Sequence, residues 1–434
     1  MALLNIGSSV PTRWPQASPC YSKSVRRRAV VATIEICKPD DFEVGRLLGT
    51  FGYMNVTSYI PPPQMGSTEP LGLDQWELER RMGGQEVGQG GVQVRLYTGR
   101  FTRGPRRGTR VVLKAYPGRN AGSAEADAMA ANELATHAVI QETSDAGGCP
   151  NVTRLLGGFQ TQTGEQWLVF RDDGQSTAAD YAKAAGISTT ERRAVGDWEF
   201  LDYFDYSRPI KRRYIFIIKL LRGAFSGLAH MHSNGRLHQS LGPSSVVINT
   251  LAEKDAYSLV PQLRDMAFSV DISDEAIFRS HRSGLPWKQK LIDGRADDLS
   301  VGSATAALSE GLWRRARAAG ALTPFEQKAF GISDDIYAAG LLMAYMIFVS
   351  FCKAGSIDGP SLQRLFETTF RLDLQAAREY CLADDNWVEA IKFLDLGEGA
   401  GWELLQAMLN ADYRQRPIAE AVLNHRFMTG ALLF

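Results

Sequence analysis

The sequence predicts an α+β fold of two lobes, a small β-rich N-lobe followed by a larger helical C-lobe. Three observations predict it. Residues 92–118 alternate apolar and polar side chains through "VQVRLYTGRF" and "GTRVVLKAYPG" around the turn "TRGPRRG", the pattern of an antiparallel hairpin. "AEADAMAANELATHAVIQE" then places apolar residues at helical spacing and is stopped by "GGCPN". After Asp173 the texture changes to long helical runs, and a β-rich half followed by an α-rich half puts a cleft between two lobes.

From the N-terminus, residues 1–32 contain no Asp or Glu, five Ser and five basic residues, and lack the continuous apolar core of a secretory signal. That is transit-peptide composition. Arg26, Arg27 and Arg28 cluster late, after twelve uncharged residues, unlike the even arginine spacing of a mitochondrial presequence, and so point to a plastid (chloroplast). Residues 33–75 read as an N-terminal extension, because the three prolines of "IPPPQMGSTEPLG" fit neither a helix nor a central strand.

The N-lobe is expected over 76–170, starting near Trp76, with two further strands near "VTRLLGGFQ" and "EQWLVFRD" completing its sheet. The C-lobe, 171–430, carries the helical runs "RRYIFIIKLLRGAFSGLAHMHSNG", "IYAAGLLMAYMIFVSFC" and "GWELLQAMLNADYRQRPIAEAVLNHRF". The second of these, 336–352, has seventeen residues without a charge, the short edge of the spanning range of ~17–25. Asp334, Asp335 and Lys353 bracket it closely, which reads as a buried central helix rather than an integral membrane span.

Composition narrows the function classes. Lys+Arg and Asp+Glu both number 48 in 434 residues, so no net field draws the chain to nucleic acid or an anionic membrane. The five cysteines are odd in number and scattered without C-x-x-C spacing, which argues against a disulfide framework or a zinc site and fits a reducing compartment.

Three residues suit a cleft that holds a charged ligand. Lys114 ends "VVLK", where alternation with Val112 points its ammonium to one face of the sheet; Glu133 lies on the following helix; Asp265 sits at a strand end in "PQLRDMAFS". With these residues the chain resembles the eukaryotic protein kinase superfamily over roughly 76–430, and the resemblance implies a bilobal kinase fold. "VVLK" is similar to the third-strand motif V-A-I-K, so Lys114 would hold nucleotide phosphates and Glu133 would position it as its ion-pair partner. "VGQGGVQVRLYTG" supplies Gly88, Gly90 and Gly91 of a glycine loop, with Gln93 or Val94 where a third glycine belongs; "LLGTFGYMNV" has similar flavour but lies far from Lys114 in sequence. "LVFRDDG" resembles the hinge, with Phe170 behind the nucleotide pocket and Arg171 and Asp172 presenting backbone groups to an adenine. "DDIYAAG" makes Asp335 the residue that ties down the catalytic loop. The closing R-P motif makes Arg416 a buried arginine, with Glu326 a loose candidate for its partner.

The family's catalytic loop, H-R-D-x-x-x-x-N, laid on "HQSLGPSSVVIN", puts His238 on the His, Gln239 on the Arg, Ser240 on the Asp and Ser245 on the Asn; Asn249 comes four positions too late. Ser240 is therefore a degenerate catalytic position. The metal motif D-F-G reads Asp265, Met266, Ala267, which keeps one metal-binding carboxylate and puts a Cβ where a positive φ would strain the chain. Two rival sites are a zinc set of His230, His232 and His238 and a nucleophilic Ser240 served by His238. The resemblance accounts for all three histidines as helix end and loop.

The resemblance implies a pseudokinase, binding ATP weakly with at most one Mg²⁺ and regulating or scaffolding a protein partner in a plastid. The alternative is an active atypical Ser/Thr kinase that takes a base from an insertion such as "DDLS" at 297–300. A fluorescent fusion of residues 1–60 is expected to enter plastids; cytosolic fluorescence would contradict the transit reading.

Overall fold

The structure, a computed structural model, describes residues 35–52, 92–118, 124–142, 149–194, 203–276 and 301–430. Strands β1 (Glu35–Ile36), β2 (Phe42–Gly52), β3 (Gln93–Phe101), β4 (Arg110–Tyr116), β5 (Leu155–Gln160) and β6 (Gln166–Arg171) form one sheet in the order β1-β5-β6-β4-β3-β2. Neighbours run antiparallel except β1 and β5. β4 is rich in β-branched residues and alternates as a two-faced strand must. Val111 and Leu113 pack with Phe42, Phe101 and Val169, whereas Val112, Lys114 and Tyr116 face helix α1 (Ala124–Glu142).

The lobe begins earlier than the sequence suggests. Residues 42–52, read above as part of an extension, are a full strand paired with β3 from Phe42 opposite Phe101 to Gly52 opposite Gln93. "LLGTFG" thus ends the first long strand of the hairpin system that carries Lys114, despite its distance in sequence. The pairing was hidden because its partner lies beyond residues 53–91, and alternation identifies a strand without naming its neighbour.

The helical lobe contains α2 (Ala178–Ala194), α3 (Tyr203–Ser233), α4 (Val301–Ala318) and α5 (Pro324–Phe351), followed by the shorter helices Gly359–Arg364, Leu374–Leu382, Val388–Leu394, Leu396–Met408 and Ala419–Asn424. Among the described residues, α5 is the one helix long and apolar enough to cross a membrane. It is buried: Ile336, Tyr337, Leu342, Met343, Ile347 and Phe348 sit in the main core with α3 and the later helices. It opens at Pro324 rather than at the apolar run, because Thr323 and Glu326 close a capping box over its first turn. The last helical run is broken in two, since Asp412 caps a short 3-10 turn at Tyr413–Gln415 and Pro417 cannot continue a helix. Cys149 and Cys381 are free thiols.

Two features shape the floor of the cleft. Short ladders pair β7 (Ser176–Thr177) and β10 (Gln262–Leu263) with β9 (Val246–Ile248), and β8 (Arg236–Leu237) with β11 (Val270–Asp271), so the loops 238–245 and 264–269 lie side by side beneath the cleft. The loop after α1 seats on α3: the Asn151 amide donates to the Pro261 carbonyl at 2.8 Å, and its own carbonyl accepts from Leu263 N at 2.9 Å. Gly227 of α3 permits this approach, because a Cβ there would overlap the Asn151 carbonyl oxygen and press on Leu263. Gly227→Ala should therefore destabilise the protein by about 1–3 kcal/mol, the range for overpacking a filled site, against the small gain in helix propensity; urea unfolding measures it.

Candidate functional site

The sheet, α1 and the helical lobe converge on Lys114. Its ammonium lies 2.8 Å from Glu133 Oε2 and 2.9 Å from Asp265 Oδ1, and all three residues are buried. Tyr116 donates its hydroxyl to Glu133, and Met266 N donates to Glu133 Oε1 at 3.2 Å. Asn132, one residue before Glu133, donates to the carbonyls of Ala267 at 2.8 Å and Ser269 at 2.7 Å. α1 is thus clasped to the segment after Asp265, whose Phe268 enters the N-lobe core beside Met129 and Leu168. Removing one member of such a buried ionic cluster leaves an uncompensated charge, at a cost of about 3–5 kcal/mol.

The loop below is held by Asp335. Its carboxylate accepts from His238 N at 2.8 Å, Gln239 N at 2.9 Å, Gln239 Nε2 at 3.0 Å and His232 Nε2 at 2.9 Å. Burial pushes the Asp335 carboxyl up, and the hydrogen bond and charge of His232, with His238, outweigh it, leaving the group below the usual carboxylate range. His238 donates its Nε2–H to the Arg264 carbonyl, 3.0 Å away. The three histidines of the zinc alternative are therefore apart in role: His232 serves Asp335, His238 faces a carbonyl, and His230 lies at the end of α3 beside Asn234.

Ser240 is fully buried and donates its hydroxyl to the Asp265 carbonyl at 2.7 Å. His238 Nδ1 is 3.3 Å from the same oxygen, but the hydroxyl proton is directed to the carbonyl, so the pair is not aimed at a ligand. Ser245 is also buried; its hydroxyl accepts from Gly242 N at 2.9 Å and donates to Gly242 O at 2.8 Å, closing a local turn. Asn249 clamps Ser258 and Val260 and takes no part in the cleft. Backbone strain falls elsewhere than expected. Ala267 lies in a 3-10 turn, whereas Gln239 (φ 60°) and Asp265 (φ 66°) adopt left-handed conformations.

Two cavities open between the lobes. A narrow one of about 40 Å³ reaches Lys114, Glu133, Phe170 and Asp265; a wide one of about 1090 Å³ runs from Leu48, Leu96 and Val112 past Gly242 to the C-terminal end of α5. Phe170 walls the narrow one, with His137 of α1 edge-on to its ring at 5.2 Å. Arg171 lines it too, but its backbone N–H donates to Arg154 O, and that of Asp172 to Arg110 O. Asp172 lines neither cavity, whereas Asp173 and Gly174, one step further on, do line them. Gly88 and Gly90, like the 297–300 stretch, lie outside the described residues. Arg416 is buried as expected, but its guanidinium donates to Asn410 O at 2.7 Å and Ser333 O at 3.1 Å. Glu326 instead caps α5.

Arg264 was missed by the sequence reading. Its Nε lies 3.0 Å from Asp265 Oδ2 and 3.1 Å from the Ser244 carbonyl, and it lines both cavities. Only its place directly before Asp265 could have signalled it. With Lys114 on Oδ1 and Arg264 on Oδ2, both oxygens of Asp265 face cations, and Ser245 is enclosed in its turn. The oxygen donors that the family's Mg²⁺ would need are thus engaged, and this donor set does not fit a divalent cation.

A lysine on the third long strand paired to a glutamate on the next helix, a loop tied to the central helix by an aspartate, and a β-lobe over a helical lobe together make the fold protein-kinase-like. Comparison with known proteins places a relative beside it. The chain is related to the chloroplastic serine/threonine-protein kinase STN7 of Arabidopsis thaliana, at 22% identity over 278 residues covering 61% of this chain and 43% of that protein. It thus spans under half the length of that relative. A crystal structure of a Stt7 homolog from Micromonas algae soaked with ATP superposes with a TM-score of 0.49 at 16% identity, covering 95% of this chain and 98% of the other. No protein-family model matches the chain.

His137 generates a pH prediction. Burial lowers its imidazole from 6.5 to about 4, against the raising effect of Glu133, while Lys114 and His238 lower it further and Asp265 raises it. The unfolded chain takes up this proton first as pH falls, so stability declines between pH 6.5 and about 4 and is constant in this contribution outside that window. The loss is about 3 kcal/mol at 1.36 kcal/mol per pKa unit. His137→Leu should flatten the dependence of unfolding free energy on pH over that window; an unchanged slope in urea titrations would contradict it.

Proposed function

We propose that this kinase-fold protein is a pseudokinase of the plastid, a domain that binds ATP weakly and regulates or scaffolds a protein partner. One observation carries the reading: Ser240, where a catalytic carboxylate would orient the substrate hydroxyl, is fully buried and donates to the Asp265 carbonyl. A positioned general base contributes about 10²–10⁴ in rate, and a neutral hydroxyl turned inward supplies none of it. The wide cavity supports nucleotide binding, since about 1090 Å³ meets the upper size of small-ligand sites, ~300–1,000 Å³. The tight closure around Lys114 supports weakness, because its ammonium is already held by two carboxylates that a phosphate would have to displace. The plastid assignment rests on the acid-free N-terminus and on the chloroplastic description of the relative.

The relative's description as a serine/threonine kinase favours a second reading, an active atypical kinase with a base supplied from outside loop 238–245. Radiolabelled ATP separates the two. With the pseudokinase reading, phosphate incorporation into the protein or a generic substrate stays at the level of Lys114→Arg, a control that keeps the buried positive charge. Incorporation well above that control would establish the active reading.

A further inference from the structure

The donors around Asp265 raise the question of what neutralises a phosphate chain in this cleft. The wide cavity is lined by Arg46, Lys183, Arg264 and Lys353 against Asp180 and Asp358, a positive surplus suited to an anion. Lys114 does not line it, being enclosed in the narrow cavity behind. Arg264 stands on both, with its side chain 17% exposed, and its backbone is fixed by the Ser245 carbonyl, which accepts from Arg264 N at 2.9 Å, and by His238 at Arg264 O. Its Nε is anchored between Asp265 Oδ2 and the Ser244 carbonyl, which sets the plane of the guanidinium at the inner edge of the wide cavity. A guanidinium is always charged and presents donors in a planar fork that matches phosphate oxygens.

We infer that Arg264 takes the place of a divalent cation at Asp265, so that the cleft binds a nucleoside polyphosphate as the metal-free anion. The inference rests on the nucleotide-binding reading above and deepens it. Asp265 then serves as the counter-ion that orients Arg264 rather than as a metal ligand. Without Arg264 the Asp265 carboxylate loses the cation beside Oδ2, and the added negative charge at the cleft repels a bare phosphate chain and attracts a metal cation.

Two measurements on the full chain test this. In the first, the wild-type protein is titrated with Mn²⁺ alone, and free Mn²⁺ is read by its paramagnetic resonance signal. The expected result is no binding that Asp265→Asn removes, whereas Arg264→Gln gains such a site, lost again in the double variant with Asp265→Asn. In the second, ATP is titrated by thermal shift in EDTA and in Mg²⁺. Wild type should bind equally in both, and Arg264→Gln should bind at least tenfold more weakly in EDTA and recover with Mg²⁺. Arg264→Lys, which keeps a cation, should retain much of the metal-free binding and covers the case in which the glutamine variant does not fold. A wild-type Mn²⁺ site at Asp265, strict Mg²⁺ dependence of wild-type ATP binding, or unchanged metal-free affinity in Arg264→Gln would each overturn the inference. If wild type binds ATP in neither buffer, the nucleotide-binding reading and the metal-free anion site fall together. The Mn²⁺ titration, which needs no nucleotide, then still decides whether Arg264 holds the cation's place.

Discussion

The buried ammonium of Lys114 is the constraint on which the rest of this structure depends. A charge with almost no access to water is tolerated only where opposite charges and hydrogen bonds replace its hydration. Here Glu133 comes from α1 and Asp265 from the helical lobe, so satisfying one side chain requires the sheet, the helix and the second lobe to meet at one place. The neighbouring contacts follow: Asn132 clasps the segment after Asp265, Tyr116 covers Glu133, and Phe268 fills the N-lobe core. The closed cluster explains why the cavity at Lys114 is narrow while the cleft beside it is wide.

Asp335 plays the corresponding part in the second lobe. One carboxylate on the central buried helix holds two successive backbone N–H groups and the His232 ring, and so permits Gln239 to keep a left-handed conformation that a non-glycine residue adopts only under constraint. Asp265 is held in the same region of backbone space by Lys114 and Arg264. Each such residue costs of order 1–3 kcal/mol, and both border the cleft. The loops held by Lys114 and Asp335 therefore lie side by side beneath the cleft, with the hydroxyls of Ser240 and Ser245 directed inward.

Ordered loops whose two serine hydroxyls bond inward support the pseudokinase proposal, in which the output is a conformation rather than a product. The relationship to a chloroplast kinase at 22% identity concerns the fold, whereas the chemistry is set by the residues of the site. Lys114 pairs with Glu133 and Asp265, and Asp335 holds the backbone of His238, while the departures from the family's motifs in these loops fall at Gln239, Ser240, Ser245, Met266 and Ala267.

Local pattern by itself determined the elements. Alternation in 110–116, the Ala- and Glu-rich helix 124–142 and the uncharged run after Asp335 all appear where periodicity puts them, because each depends on neighbours within a few residues. Lys114, Glu133 and Asp265 as one group, and Asp335 separately as the anchor of the loop at His238, were also legible, since short motifs keep their order along the chain. Only tertiary structure decided the rest. The membership of 42–52 in the sheet depends on hydrogen bonds across the 53–91 insertion. The backbone partners of Arg416, the inward hydroxyl of Ser240 and the place of Arg264 depend on which groups from distant segments reach one another. Periodicity encodes which face of an element is apolar, but a polar side chain's partner is set by three-dimensional proximity alone, and at this cleft the partners decide the chemistry.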